Sequence, residues 1–165
     1  QGAVLFKQAR ERGYEGIFLS DDGFGSSDAV KIGGKSLMKG GGTFYSTVAG
    51  PANFYPKTKA FVDAFKAKYN ADPQPFAAQA YDSTAIALKA IEMAAKEAGG
   101  LPERKAVAEA VRKLKDFEGI TGTFTLNEIG DPAKALYFVI QIVSDDPGQF
   151  AANPIVETLE IEPPK

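Results

Sequence analysis

A chain of 165 residues with 44% hydrophobic content can build a core of its own, and a net charge of −2 with no basic run argues against nucleic acid as its main partner. The chain has neither cysteine nor histidine, which excludes disulfides, thiol nucleophiles, imidazole-dependent triads and thiolate or imidazole zinc sites. No apolar stretch approaches the roughly 20 residues a membrane helix needs, and the opening QGAVLFKQARERG carries no signal-peptide pattern, so an export signal is either not used or already removed.

The first element, GAVLFKQARERG, reads as a helix with Val4, Leu5 and Ala9 at helical spacing, stopped at Gly13 by a left-handed cap. YEGIFLSD is then a short buried strand, and GFGSSD a loop that runs into a further helical turn. GGTFYSTVAG is a second strand, entered through Gly40 to Gly42 and left through Gly50-Pro51. YPKTKAFVDAFKAKYNADP is an amphipathic helix with Phe61, Val62, Phe65 and Tyr69 on one face and lysines on the other; Pro56 suits its first turn and Pro73 bars its continuation.

PFAAQAYDSTAIALKAIEMAAKEAGG is a long Ala-rich helix, apolar on much of its circumference and therefore expected to be well buried, with Gly99-Gly100 ending it. LPERKAVAEAVRKL is another helix, acidic in its first turn and basic in its last, as the helix dipole favours. GTFTLNEIGD and KALYFVIQIVSD read as two strands around an Asn-Glu-Ile-Gly-Asp turn, and NPIVETLEIEPPK as an edge strand before a Pro-terminated tail. The class is α/β, with helices covering a sheet. In such a unit the opening helix follows a parallel strand through a right-handed crossover, so the pattern predicts a strand before Gln1.

Candidate chemistry centres on IFLSDDGFGSSD. A strand delivers Asp21 and Asp22 to its carboxyl end, where open α/β sheets bind ligands, and Gly23 and Gly25 allow close approach of the backbone. Side chains at successive strand positions point opposite ways, which argues against a shared proton. The plain alternative is that Asp22 and Gly23 form a turn that ends the strand. A Mg2+ site would need a third oxygen ligand and a lysine at a later strand end, and QIVSDD offers none. A glycosidase pair needs a second acid across a cleft, which nothing places. The remaining option is a single carboxylate that pairs with a ligand ammonium, flanked by serines and an aromatic ring.

Phe76, between Pro75 and the long helix, is placed to face a cleft, whereas Tyr81, beside Asp82, reads as a core residue. The lysines at 57, 59, 66 and 68 are a solvated face, and KIGGKSLMKGGG has the wrong spacing for a phosphate loop. Neither a metal nor a cofactor is called for.

Taken in order, LFKQARERGYEGIFLSDDGF, GGTFYSTV, KTKAFVDAFKAKYNADPQPFAAQAYDSTAIALKAIEMA and FEGITGTFTLNEIGDPAKALYFVIQIV resemble successive blocks of the leucine/isoleucine/valine-type solute-binding proteins of ABC transporters. The resemblance covers essentially the whole chain but only the second half of the family's length. It implies a type I periplasmic-binding-protein fold with flavodoxin-like lobes, incomplete, containing portions of both lobes. Residues 1–50 correspond to a second-lobe segment, 51–137 to a first-lobe segment, and 138–165 to the return to the second lobe and the tail.

It further implies a binding protein and not an enzyme, located in the periplasm or outside the cell, which closes two lobes on an amino acid and is read by a membrane permease. The family's ammonium-binding acid aligns with Asp22 and a pocket aromatic with Phe76; Phe24 and Ser20 stand where they would line the cleft. The family position matching Asp22 is often Glu, and the shorter Asp changes the reach. A chain cut in this way is expected to bind solute weakly and to self-associate through its open sheet edge and bare helix face. The other role for the same fold is an extracellular ligand-sensing domain of a signalling protein, which the tail EIEPPK argues against.

Overall fold

The computed structural model describes residues 1–162; the Pro163-Pro164-Lys165 end of the tail lies outside the described residues. In chain order these form α1 (Gly2–Glu11), β1 (Phe18–Ser20), α2 (Ser27–Gly33), β2 (Thr43–Thr47), α3 (Lys59–Tyr69), α4 (Ala77–Ala98), α5 (Arg104–Lys113), β3 (Phe117–Glu118), β4 (Thr123–Phe124), β5 (Ala135–Ile142) and β6 (Ile155–Ile161), with short 3-10 segments between several of them. The chain divides into two compact units. The first is Gln1–Gly50 with Leu136–Glu160, and the second is Pro51–Ala135 with Ile161 and Glu162 of the described tail.

The first unit is built on a four-stranded sheet in the order β1-β2-β5-β6. β1 runs parallel to β2, with Phe18 opposite Thr43, and β2 runs antiparallel to β5, with Thr43 opposite Ile142. Period-2 alternation sends Tyr45, Phe138, Ile140 and Ile142 to one face, all of them buried, where they meet Ala3 and Phe6 of α1, Ala29 and Val30 of α2, Leu37 and Phe150. Each such ring or branched chain removed from water contributes about 1.5–3 kcal/mol.

α1 docks with a different face from the one its sequence spacing suggests. Ala3, Phe6 and Arg10 are its buried residues, while Val4 and Leu5 are exposed. The reason is ring stacking: Phe6 lies 4.0 Å from Phe18 and 5.2 Å from Phe24, centroid to centroid, and this contact sets the rotation of the helix. Arg10, one turn on, donates to the carbonyls of Tyr14 (2.6 Å) and Gly42 (3.2 Å), with its guanidinium over the Phe18 ring. Gly13 does adopt the expected left-handed conformation, at φ 86°. Ser26 caps α2 by accepting from the Asp28 amide at 3.1 Å.

The second unit holds α3, α4, α5 and the β3–β4 hairpin. Its apolar centre is small: Ala90, Ala94 and Ala110, with Met93, Ala106, Val107 and Val111 around them. The expectation of a well-buried α4 is therefore corrected. Of its 22 residues only Ala78, Asp82, Ala90 and Ala94 are buried, because α5 covers one stripe of it and Leu88 and Ile91 face outward. Tyr81 is corrected as well: it is 52% exposed and leans on Phe61, at 5.3 Å. The acidic first turn expected of α5 shifts by one position, with Glu103 at the N-cap and Arg104 opening the helix, while Arg112 and Lys113 do close it.

The late strands pair in part as expected. The arms next to the turn meet antiparallel, through a bridge between Leu126 and Pro132 and the Ala133 amide on the Thr125 carbonyl at 2.9 Å; farther out they part, β4 pairing with β3 around residues 119–122 and β5 joining β2 in the first unit. Three of β5's side chains, Phe138, Ile140 and Ile142, are long and apolar on one face, and only the first unit's core can bury them. The Asn-Glu-Ile-Gly-Asp turn forms nonetheless, closed by Asn127 Oδ1, which accepts from the amides of Ile129 (3.1 Å) and Asp131 (2.8 Å). β6 is an edge strand, as expected, and is exposed along nearly all its length.

Candidate ligand-binding site

β1 stops at Ser20, Asp21 is extended, and Asp22–Phe24 makes one 3-10 turn in which the Asp22 carbonyl accepts from the Gly25 amide at 2.9 Å. Phe24 anchors this turn. Its ring is 4% exposed and packs on Phe6 and, at 6.4 Å, on Tyr45. Gly25 rests directly on that stack, since a Cβ there would lie 3.0 Å from the Tyr45 ring. Burial pushes the Tyr45 phenol up to about 12, so it stays neutral beneath the loop.

Above this apolar footing both carboxylates face solvent. Neither Asp21 nor Asp22 has a side-chain hydrogen bond or ion pair among the described residues. Asp21, Ser20 and Phe24 border a depression of about 360 Å3 that Ser26, Asp28 and Ile32 also line, and Asp22 stands outside it. Of the two adjacent acids, then, Asp21 alone lines this depression. Among the described residues no three acidic, histidine or cysteine side chains gather to hold a metal.

Phe76 belongs to the second unit. It is the N-cap of α4, 38% exposed, with a left-handed backbone at φ 70°, and its carbonyl accepts from the Ala80 amide at 2.8 Å. A bulky aromatic residue seldom adopts this conformation, which costs about 1–3 kcal/mol. The turn across Pro75, closed by the Ala77 amide on the Gln74 carbonyl at 3.1 Å, holds it there. The four candidate residues thus fall three in the first unit and one in the second.

One functional-looking residue was not singled out by the sequence. Asp82 is 2% exposed and accepts three hydrogen bonds, from the Ile120 amide (2.8 Å), the Thr121 amide (2.8 Å) and the Thr121 hydroxyl (2.6 Å). The available signal was its register, because it lies on the same α4 stripe as Ala78, Ala90 and Ala94, where an unpaired carboxylate would be costly.

Similarity to known proteins bears on what such a surface is for. Residues 1–147 match the family model described as periplasmic binding protein. Over 129 residues the chain is 34% identical to the leucine-, isoleucine-, valine-, threonine- and alanine-binding protein of Pseudomonas aeruginosa, covering 78% of this chain and 32% of that one. Among solved structures, a leucine-binding protein from Thermotoga maritima superposes with a TM-score of 0.75 at 29% identity, over 95% of this chain and 41% of its own. A fatty acid ABC transporter substrate-binding protein from Thermomonospora curvata gives a TM-score of 0.74 at 23% identity, over 99% of this chain and 41% of its own, which is a likeness of fold alone. The chain spans about a third to two fifths of the length of these relatives. They are binding proteins, not enzymes, and the mixed α/β architecture is that of type I periplasmic binding folds, of which the chain covers a part. On these matches the chain belongs to the periplasmic binding protein family.

Proposed function

We propose that this chain is part of the solute-binding component of an ABC importer for branched-chain or related amino acids, working in the periplasm or at the outer cell surface. The observation that carries the reading is the 34% identity to a relative named for binding leucine, isoleucine, valine, threonine and alanine. In this reading the two units contribute to two lobes that close on the solute, and a membrane permease receives the closed form. Asp22 supplies the carboxylate for the ligand ammonium, supported by its place just past the end of β1 and by its lack, among the described residues, of a side-chain hydrogen-bond or ion-pair partner. Phe24 supports the Asp22 turn from beneath, and Ser20 and Phe24 line the neighbouring depression on the Asp21 side. Phe76 offers a half-exposed ring to the apolar side chain of the solute, held in place by its constrained backbone.

A free carboxylate on the surface is inexpensive until a ligand desolvates it, and an ammonium then becomes its natural partner. Isothermal titration of L-leucine into the full-length protein tests the reading. Asp22→Asn should weaken binding by about 2–5 kcal/mol, the cost of truncating one partner of a buried charge pair. Affinity unchanged by the substitution would remove Asp22 from the site. Heat absent for every aliphatic amino acid in the unsubstituted protein would remove the amino-acid reading altogether. Self-association of the isolated 165-residue chain belongs to the same proposal, through the exposed β6 edge and the outward Leu88–Ile91 face of α4. A concentration-independent monomer mass in light scattering would refute it.

A further inference from the structure

Within the second unit, the hydrogen bonds and ion pair that leave the first turns of α4 return to it as a closed ring. Asp82 holds the 119–122 turn of the hairpin through its three donors. Gly119 is required at that contact, since a Cβ would lie 2.6 Å from the Asp82 Oδ2, and its amide closes the turn on the Gly122 carbonyl at 2.8 Å. The adjoining residue of β3, Glu118, accepts from the Thr123 hydroxyl at 2.8 Å and pairs with the Lys57 ammonium.

Lys57 lies in the segment 51–58, which begins at the boundary between the units. That segment is itself tied down: the buried Thr58 hydroxyl donates to the carbonyls of Ala52 and, at 2.7 Å, of Tyr55. The Tyr55 hydroxyl accepts from Gln79 Nε2 at 3.0 Å, which brings the ring back to α4. Gln79 and Asp82 are three residues apart on one helix face, and Phe76 sits at the head of the same helix.

We infer that Asp82 is a positioning residue for the solute site: through this ring it fixes the segment 51–58, where the chain enters the second unit, to the helix turn that presents Phe76. The inference rests on the amino-acid-binding reading for its functional half. Asp82 touches no solute. It acts by making α4's first turns, the hairpin and the entering segment one body, in a unit whose buried alanine cluster lies between α4 and α5 and includes no residue of the hairpin or of the segment 51–58. An aspartate is suited to the task because both oxygens accept from backbone amides; an asparagine would set its Nδ2 donor against the Thr121 amide, donor against donor.

The experiment is amide hydrogen exchange of the full-length protein, with and without L-leucine, alongside leucine titration. The variants are Asp82→Asn and the milder Thr121→Val, which deletes one donor at near-constant volume and keeps the fold if Asp82→Asn does not. Faster exchange is expected at Ile120 and Thr121, and also around the ring at Thr58 and in the first turn of α4, with leucine affinity weakened roughly 2- to 30-fold at unchanged global stability. Faster exchange confined to residues 119–122, with leucine bound normally, would overturn the inference and leave the amino-acid reading intact. Exchange spreading around the ring in a protein that never responds to leucine would keep the ring and sink the amino-acid reading.

Discussion

The two units are held by different physics. The first buries a continuous set of rings and branched chains, Phe6, Phe24, Tyr45, Phe138, Ile140, Ile142 and Phe150, between a sheet and its helices. The second has three alanines between two helices as its buried cluster, with Tyr55, Ala78, Leu114 and Leu126 buried outside it, and relies on a carboxylate, two threonines and a tyrosine hydroxyl to connect its parts. Apolar transfer in the first unit scales with area and tolerates no cavity, whereas polar links in the second stabilise little individually and specify a great deal. The candidate acids stand over the first kind of footing and the candidate aromatic over the second. In the proposed reading, the group that meets the ammonium is therefore supported by packing, and the ring that meets the apolar side chain is supported by polar links.

The largest effect that should separate the units is a cavity. Phe138 is fully buried at the centre of the first core, so Phe138→Ala should cost about 3–5 kcal/mol. Ala90, equally buried in the second, has almost nothing to lose, and Ala90→Gly should cost only about 1 kcal/mol through helix propensity. Urea midpoints at constant m-value measure both, and equal losses would dissolve the distinction.

A smaller effect is alkaline. Tyr45 has its pKa raised to about 12 by burial, so the folded chain holds a proton that the unfolded chain releases near the ordinary value of 10. The stability it contributes is complete below that ordinary value and lost as pH rises through the folded one, amounting to about 2–3 kcal/mol. Tyr45→Phe should flatten that fall in melting temperature between pH 10 and 12; an identical fall in the variant would show that other groups carry it.

How much of this was legible in the sequence divides along the same line. The positions of the first unit's strands, its Gly13 stop and the placement of Asp21 and Asp22 past the end of β1 follow from patterning and turn chemistry, but β1 is not the buried strand expected, since Ile17 and Leu19 are exposed. Helix rotation failed as well: Val4 and Leu5 look like a buried face by spacing, but the ring stack of Phe6 on Phe18 decides it, and the partner of a ring is not a local property. In the second unit periodicity misled more. An apolar circumference on α4 says that something should cover it, and not that α5 covers only one stripe. The pairing of β4 with β3 was hidden because two-residue strands carry no alternation to read. Asp82 escaped for the same reason, as its three donors lie 38 and 39 residues away in the chain.

The finest test of the comparison is the outermost link of the second unit, the Lys57–Glu118 pair. Glu118 is held below the ordinary carboxylate range first by its hydrogen bond with Lys57, then by that with Thr123 and by the lysine's charge. A lowered folded pKa means that its contribution is present above the unfolded carboxylate value and disappears as pH falls through the folded one, so the effect belongs to acid solution, below the ordinary carboxylate value. Both side chains are largely in water, where such a pair gives little net stability. The expected result of Glu118→Gln is accordingly a barely moved melting temperature at neutral pH, a small loss of acid sensitivity, and faster exchange at Thr58. If the substitution instead lowers the melting temperature as much as Phe138→Ala does, the pair is a packing element in disguise and the second unit is not held by connection. If exchange at Thr58 stays unchanged, the link is ornamental, and the segment 51–58 is fixed without it, with the Thr58 hydroxyl and the Tyr55–Gln79 bond among its ties.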